Sequence, residues 1–135
     1  MYSKLFSSIC MSSIWAEDSD TRVLWITMLA QADREGYVFS SIVGLANLAR
    51  IPLEVAIAAL EKLASPDPNS QDLLENPANE GRRIKVVPGG WHLINYVRYR
   101  QMRDADDRRR QNREAQARFR NREAAKPWPV KKKKP

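Results

Sequence analysis

The sequence SSIVGLANLARIPLEVAIAALEKLA, residues 40–64, contains two short apolar segments separated by the break Arg50-Ile51-Pro52. In each segment apolar side chains recur at three- and four-residue steps, which is the spacing of one helix face. The predicted inward set is Ile42, Leu45, Leu48 and Ala49 in the first segment and Leu53, Ile57, Leu60 and Ala64 in the second. Pro52 suits the first turn of a helix, because its missing N–H would have no intrahelical partner there. The stretch therefore predicts helix, turn and helix, against which the rest of the domain packs.

The segments on either side of this pair complete a small domain. The further predicted elements are a helix over residues 21–32, a strand over 37–39, and strands over 82–87 and 91–97 joined by Pro88-Gly89-Gly90. Residues Asp18 to Asp20 offer N-cap side chains, and Gly36 suits a left-handed position after the first helix. The two glycines of the hairpin turn supply the positive φ that such a turn needs. The prediction is a mainly α domain with a small β-hairpin, a winged helix-turn-helix over residues 1–97.

Charge divides the chain into two parts. Residues 1–97 carry 8 Lys+Arg against 11 Asp+Glu, a net −3, whereas residues 98–135 carry 15 against 5, a net +10. All of the net positive charge of +7 therefore lies in the last 38 residues. That segment is rich in Arg, Asn, Gln, Asp and Ala and has almost no large apolar side chains to bury. We predict a basic C-terminal tail that is a frayed helix to about residue 126 and disordered beyond it.

The tail contains the strongest signal for nucleic-acid binding. A guanidinium group binds phosphate bidentately, and a high density of arginine gives affinity through counterion release without reading sequence. The predicted contacts are Arg98, Arg100, Arg103, Arg108, Arg109, Arg110, Arg113, Arg118, Arg120 and Arg122, followed by Lys131, Lys132, Lys133 and Lys134. The alternative for this segment is a tail that only increases solubility.

The predicted hairpin carries a second group of basic side chains. Arg82, Arg83 and Lys85, with His92 on the following strand, are candidates for contact with phosphates or a minor groove. The alternative is that they are ordinary solvated strand residues. His92 has no Cys, His or carboxylate partner at metal-ligand spacing, so we predict no metal site. No cofactor is predicted.

The second helix of a helix-turn-helix usually reads bases with Arg, Asn, Gln or Lys. With the predicted apolar face inward, the outward residues of this helix are Glu54, Val55, Ala58, Glu61 and Lys62. This outward face has one hydrogen-bond donor and two carboxylates, and the carboxylates would repel DNA phosphates. The face therefore suits contact with a protein better than insertion into a DNA groove. We predict protein contact through Glu54, Val55, Ala58 and Lys62, with Trp128, which lies between two prolines, as a second docking candidate.

Several classes of protein are disfavoured. The chain has no Gly-rich phosphate loop and no nucleophile with a candidate base, so we do not expect an enzyme. No apolar run approaches the length of a membrane span, and we expect no membrane partner. Cys10 is the single cysteine, which excludes an internal disulfide and favours the cytoplasm; we expect its thiol to be buried.

The chain resembles winged-helix proteins of phages and prophages related to replisome organisers and DnaD-like replication-initiation proteins. The resemblance covers roughly residues 4–103. It is carried by KLFSSICMSSIW (4–15), RVLWITMLAQADREGYV (22–38), LEVAIAALEKLASPDPNS (53–70), NEGRRI (79–84) and GGWHLINYVRYR (89–100). It implies a winged-helix fold, a role in DNA replication initiation, and replication proteins such as a helicase or loader as partners. It also implies that the cytoplasm is that of a bacterial host cell.

Three functions are therefore predicted as alternatives. The first is a phage-type accessory protein that binds nucleic acid, DNA above all, through the arginine-rich tail and the wing. The second is a sequence-specific winged-helix transcriptional regulator. The third is a protein-interaction module that engages host replication or transcription machinery. A homodimer is compatible with each, since winged helices also serve as dimerisation modules.

Overall fold

The structure, a computed structural model, describes residue 5 and residues 7–125, apart from the side chains of Tyr99 and Arg103. It is mostly helical with a small three-stranded antiparallel sheet, which confirms the predicted class of mainly α with a β-hairpin. The helices are α1 (Ser19–Gln31), α2 (Ile42–Ala49), α3 (Leu53–Ala64) and α4 (Tyr96–Ala125), and the strands are β1 (Tyr37–Phe39), β2 (Ile84–Val87) and β3 (Gly90–Leu93). Short 3₁₀ turns lie at Ser7–Met11, Ser13–Ala16, Gln71–Leu74 and Pro77–Asn79.

Local chemistry explains where the helices begin and end. Asp18 caps α1 as predicted, because its carboxylate accepts a hydrogen bond from the Thr21 N–H. Ser41 caps α2 in the same way through the Gly44 N–H. Arg50 ends α2 in the left-handed conformation, with φ of 59°. Pro52 lies at the N-cap of α3, one position before the helical turn in which the sequence placed it.

The sheet has the order β1-β3-β2, with β3 in the centre. β1 pairs antiparallel with β3, and β2 pairs with β3 as the predicted hairpin. The hairpin turn contains Gly89 at φ of 85°, as predicted. β3 is shorter than predicted, because Asn95 adopts a positive φ of 72° and the chain turns into α4 at Tyr96.

The core lies between α1, α3 and the inner face of the sheet. Its largest fully buried side chains are Ile14, Leu24, Met28, Leu45, Leu63, Ile84 and Leu93. Cys10, in contrast, is exposed, so the prediction of a buried thiol is wrong. The reason is that Cys10 lies in the 3₁₀ turn Ser7–Met11, which has no buried residue.

The inward faces of α2 and α3 differ from the prediction. α3 buries Ala56, Ala59, Leu60 and Leu63, and α2 buries Leu45, Ala46 and Ala49. Ile42, Leu48, Leu53 and Ile57, all predicted to point inward, are exposed. α3 is thus rotated by about 80° from its predicted orientation, at about 100° per residue. Two of the four residues that α3 buries are alanines, whose small side chains allow close packing.

The axes of α2 and α3 are bent by 102° at the break between them. Across the described residues, no single helix is long and apolar enough to cross a membrane; only this bent pair passes such a test, by length and composition alone.

The chain divides after Tyr99 into two compact units, residues 1–99 and 100–135. The helix α4 runs through the domain boundary predicted at Val97 and continues to Ala125. Residues 98–125 are therefore part of one continuous helix, over the range for which the sequence predicts a frayed helix. The winged-helix assignment itself stays a prediction.

Candidate nucleic-acid interface

The second unit presents most of the predicted arginines to solvent from α4. The side chains of Arg108, Arg109, Arg110, Arg113, Arg118, Arg120 and Arg122 are exposed, and that of Arg100 is partly buried. They do not form one basic stripe. At the helical repeat of 3.6 residues, Arg118 and Arg122 share one side of α4, whereas Arg109, Arg113 and Arg120 lie on the opposite side.

The charge along this helix is uneven. Asp104, Asp106 and Asp107 precede Arg108, Arg109 and Arg110, an order in which acids at i and arginines at i+3 or i+4 attract each other. One such pair is Arg110 with Asp107, 3.7 Å apart. The next segment, residues 111–122, holds four arginines against one carboxylate, Glu114. Residues 104–110 are therefore balanced in charge, and residues 111–122 supply a net positive charge.

Arg98, the first predicted tail contact, is bound within the first unit. Its guanidinium group lies 3.2 Å from Asp72 Oδ1 and also pairs with Glu75. Asn95 donates a 2.7 Å hydrogen bond to the other oxygen of Asp72. These contacts fix the first turn of α4 on the 3₁₀ turn Gln71–Leu74. A phosphate would have to compete with two carboxylates for Arg98.

Arg83 is also held inside the domain. Its NH2 group donates to Ser13 Oγ at 2.6 Å and to Ser12 Oγ at 3.1 Å, and it lies 3.7 Å from Asp67 Oδ2. The guanidinium lies over the ring of Trp25 at 5.8 Å, and the side chain is only 14% exposed. Arg83 therefore ties the N-terminal segment to the loop before β2, and its geometry favours a structural role over phosphate contact.

Arg82 is held by a contact within the domain, as Arg83 is, whereas Lys85 is exposed. Arg82 donates a 2.7 Å hydrogen bond to the carbonyl oxygen of Ala64, at the end of α3. Lys85 is exposed on β2. It shares a register row with His92 and Tyr37 across the sheet. Of the three basic hairpin residues, Lys85 is the one that the structure presents to solvent.

The sequence reasoning missed Phe39, which lies on the same outer face of the sheet. Val38 is buried, so the strand alternation places Tyr37 and Phe39 on the opposite, outer side. Phe39 is 65% exposed. The alternation in Tyr37-Val38-Phe39 is the signal that could have identified it.

The exposed side of α3 is apolar and acidic. Glu54, Ile57, Ala58 and Glu61 are exposed at the spacing of one helix face, and Val55 is partly buried. Lys62, the one basic side chain of α3, is bound: its Nζ lies 2.7 Å from Asp18 Oδ1 and 3.9 Å from Glu17 Oε2. The hydrogen bond from Lys62 lowers the pKa of the Asp18 carboxyl, and the same bond raises the pKa of Lys62.

The remaining predicted contacts lie outside the described residues. They are Trp128, Lys131, Lys132, Lys133 and Lys134. Within residues 5 and 7–125, no group of three or more His, Cys, Asp or Glu side chains is placed to hold a metal ion.

Comparison of the chain with protein-family models, with curated proteins and with solved structures gives no match.

Proposed function

We propose that this protein is a nucleic-acid-binding accessory protein of phage type that acts in the initiation of DNA replication. In this proposal the arginines of α4 bind the phosphate backbone, and the first unit positions or oligomerises the molecule. DNA is the proposed ligand, and replication proteins such as a helicase or loader are the proposed protein partners. The replication role rests on the sequence resemblance, and the binding role rests on charge and exposure.

The observation that carries the binding role is the exposure of seven arginines between residues 108 and 122. They lie on more than one side of a helix, an arrangement that suits a flexible or wrapped polyanion better than one flat surface. Such contacts act through counterion release, and they position the protein without reading bases. The first unit carries a net negative charge, so it does not provide an equally basic surface.

The structure gives a physical reason against base reading by α3. Its only side-chain cation, Lys62, is bound to Asp18. Its exposed face holds Glu54 and Glu61, which phosphates would repel, together with the apolar Leu53 and Ile57. Direct readout needs donors and acceptors that match base edges. A sequence-specific regulator acting through α3 is therefore the weaker proposal.

The winged-helix assignment is supported by two features. The chain runs helix, strand, two helices and hairpin in the predicted order. The bend of 102° between α2 and α3 across a three-residue break lies in the usual range for a helix-turn-helix. In this proposal β2 and β3 are the wing.

The test compares two matched charge variants of the full chain. One carries Arg118→Gln and Arg122→Gln on α4, and the other carries Arg34→Gln and Arg50→Asn on exposed positions of the first unit. Asn is chosen for position 50 because it tolerates the left-handed backbone found there. Both variants lose two positive charges, so net charge does not distinguish them.

We expect the α4 variant to lower the slope of log K against log salt concentration by up to about 1.8 on duplex DNA, since each lost phosphate contact contributes about 0.9. The control variant should keep the slope of the unmodified protein. Equal slopes for the two variants would contradict the proposal. A chain ending after Tyr99 is the complementary test, since this length keeps Arg98 with its two carboxylates.

A second candidate function, protein contact through α3, is favoured by one observation. Leu53 and Ile57 are 42% and 41% exposed and lie one helical turn apart beside Glu54. We propose that a homodimer forms through this face. Sedimentation of the full chain and of Ile57→Asp would test it: a dimer that becomes a monomer supports the contact, and a monomer in both cases rejects it.

A further inference from the structure

The outer face of the three-stranded sheet carries a column of aromatic rings. Tyr37 and Phe39 stack with ring centroids 5.6 Å apart and planes only 4° from parallel. His92, the cross-strand neighbour of Tyr37, lies with its ring centroid 4.5 Å from that of Tyr37 and its plane tilted by 43°. We call these three residues the ring column. Its Phe39 end is 65% exposed and is the open end of the stack.

The register of the sheet explains how these rings meet. Tyr37 is the Cα partner of His92, and Phe39 is the partner of Gly90. Trp91 and Leu93 are buried, so the alternate positions of β3 place His92 and Gly90 on the outer face. Gly90, the cross-strand partner of Phe39, has no side chain, so no side chain of β3 covers Phe39 at this register position. The ring face of Phe39 is left open to a flat ligand.

The column is also fixed in place by polar contacts. His92 Nε2 lies 3.0 Å from the carbonyl oxygen of Glu35, in the turn before β1. The Tyr37 N–H donates to Asp33 Oδ1 at 2.9 Å, which uses that carboxylate inside the turn. These contacts fix the His92 ring and the start of β1, so less conformational freedom is lost there when a ligand stacks on the column.

We propose that the ring column is a stacking platform for an unpaired nucleobase, so that the first unit binds single-stranded nucleic acid. Exposed aromatic rings on a sheet bind single strands in this way, because each base offers a flat face to stack. Duplex bases are stacked on one another and present only their edges in the grooves. This inference rests on the proposed nucleic-acid-binding function and specifies the form of ligand that the first unit takes.

Charge complementarity supports this occupant over a protein partner. Lys85 is exposed on the same face as the column, in the same register row as His92 and Tyr37. In the strand order β1-β3-β2, Lys85 lies one strand from His92 and two strands from Tyr37 and Phe39, where its ammonium group can meet a phosphate of the nucleic-acid strand that carries the stacked base. The combination of an exposed ring and an ammonium group on the same face of the sheet matches a nucleotide, which has both a flat base and an anionic phosphate.

The test measures binding of the full chain to an oligodeoxythymidylate of about 16 nucleotides, to an abasic oligomer of the same length, and to duplex DNA. We expect Phe39→Ala to weaken binding of the oligodeoxythymidylate by about 5- to 150-fold. Its affinity for the abasic oligomer and for duplex should not change, since those probes have no unpaired base to stack. Phe39→Trp should retain the affinity of the unmodified chain.

Two control variants separate stacking from other effects. Phe39→Leu keeps an apolar side chain but has no ring, so it should lose affinity as Phe39→Ala does. Val86→Ala removes an exposed apolar side chain of the same sheet that lies outside the column, so it should have no effect. Circular dichroism of each variant confirms that the fold is retained.

Binding by Phe39→Leu at the level of the unmodified chain would overturn the platform, as would equal losses on all three probes. A change of mass in solution with Phe39→Ala, without a change in affinity, would make this face a self-association surface instead. These outcomes differ from failure of the proposed α4 contacts, because the Phe39 variants change affinity at a constant salt slope, whereas the α4 variants change the slope itself.

Discussion

Lys62 Nζ lies 2.7 Å from Asp18 Oδ1, and this contact joins the last turn of α3 to the N-cap of α1. Asp18 also accepts hydrogen bonds from the backbone N–H and the hydroxyl of Thr21, at 3.2 Å and 2.6 Å. One carboxylate therefore caps α1 and pairs with the cation of α3. The same pair engages Lys62, the one cation of α3, although its side chain stays 50% exposed.

We expect Asp18→Ala to lower the free energy of unfolding by about 1 kcal/mol, the usual cost of losing an N-cap. Asp18→Asn should lose less, because Asn is also a good cap. Urea denaturation at neutral pH measures both. Asp20→Asn, which removes a carboxylate from the same helical turn without touching the cap, is the control and should leave stability nearly unchanged.

The Asp18 carboxyl also predicts a dependence of stability on pH. Its pKa in the folded protein is lowered from its ordinary value of 3.8, so the folded state binds this proton more weakly than the unfolded state. The stabilisation is therefore complete above about pH 4 and is lost as the pH falls towards the folded pKa. Asp18→Asn should show a smaller loss of stability over this range. An equal loss in the variant and the unmodified protein would show that other carboxylates account for it.

The orientation of α3 can be tested by two substitutions. Leu63→Ala should lower the free energy of unfolding by about 2–5 kcal/mol, because Leu63 is fully buried and its removal leaves a cavity. Ile57→Ala should cost less than about 1 kcal/mol, because Ile57 is largely at the surface. If α3 had the orientation predicted from periodicity, Ile57 would be buried and Ile57→Ala would instead lower the free energy of unfolding by a large amount. Thermal or urea denaturation decides between the two.

Arg83 is expected to contribute to stability rather than to nucleic-acid affinity. Arg83→Ala should cost about 1–3 kcal/mol, because Ser12, Ser13 and Asp67 would lose their charged partner in a partly buried site. Arg83→Lys should recover little of the lost free energy of unfolding, since a single ammonium group cannot reproduce the guanidinium contacts. Lys85→Ala, two residues along the chain and exposed, is the matched control and should not alter unfolding. A tenfold loss of DNA affinity in a folded Arg83 variant would assign it to the interface after all.

Gly90→Ala is expected to destabilise the sheet by about 1–3 kcal/mol, as overpacking does. A Cβ atom at this position would lie 1.9 Å from the carbonyl oxygen of Val38 and 2.9 Å from Phe39 Cα, and both are backbone atoms that cannot rotate away. Gly44→Ala is the contrast, because its nearest contact would be the Ser40 hydroxyl, the end of a side chain that can move. Equal stability of the two variants would contradict the close β1–β3 pairing.

The sequence was sufficient for the local features of the fold. Capping by Asp18, the turn at Gly36, the hairpin glycines and the break before Leu53 depend on backbone conformation and on hydrogen bonds a few residues apart. The separation of an acidic first part from a basic tail is likewise a property of composition. These features follow from the identity of neighbouring residues alone, and the predicted element order is confirmed.

Tertiary structure decided which side of each element faces inward and which charges remain accessible. α3 has apolar side chains on most of its sides, so periodicity selected the wrong inward face, and the packed chain buries Ala56, Ala59, Leu60 and Leu63 instead. Arg83 and Arg98 resemble the other arginines in sequence, but carboxylates distant along the chain, Asp67 and Asp72, hold them. The ring column likewise depends on β1 pairing with β3, more than fifty residues away. Such contacts join segments whose proximity no local pattern encodes, and only the packed chain brings them together.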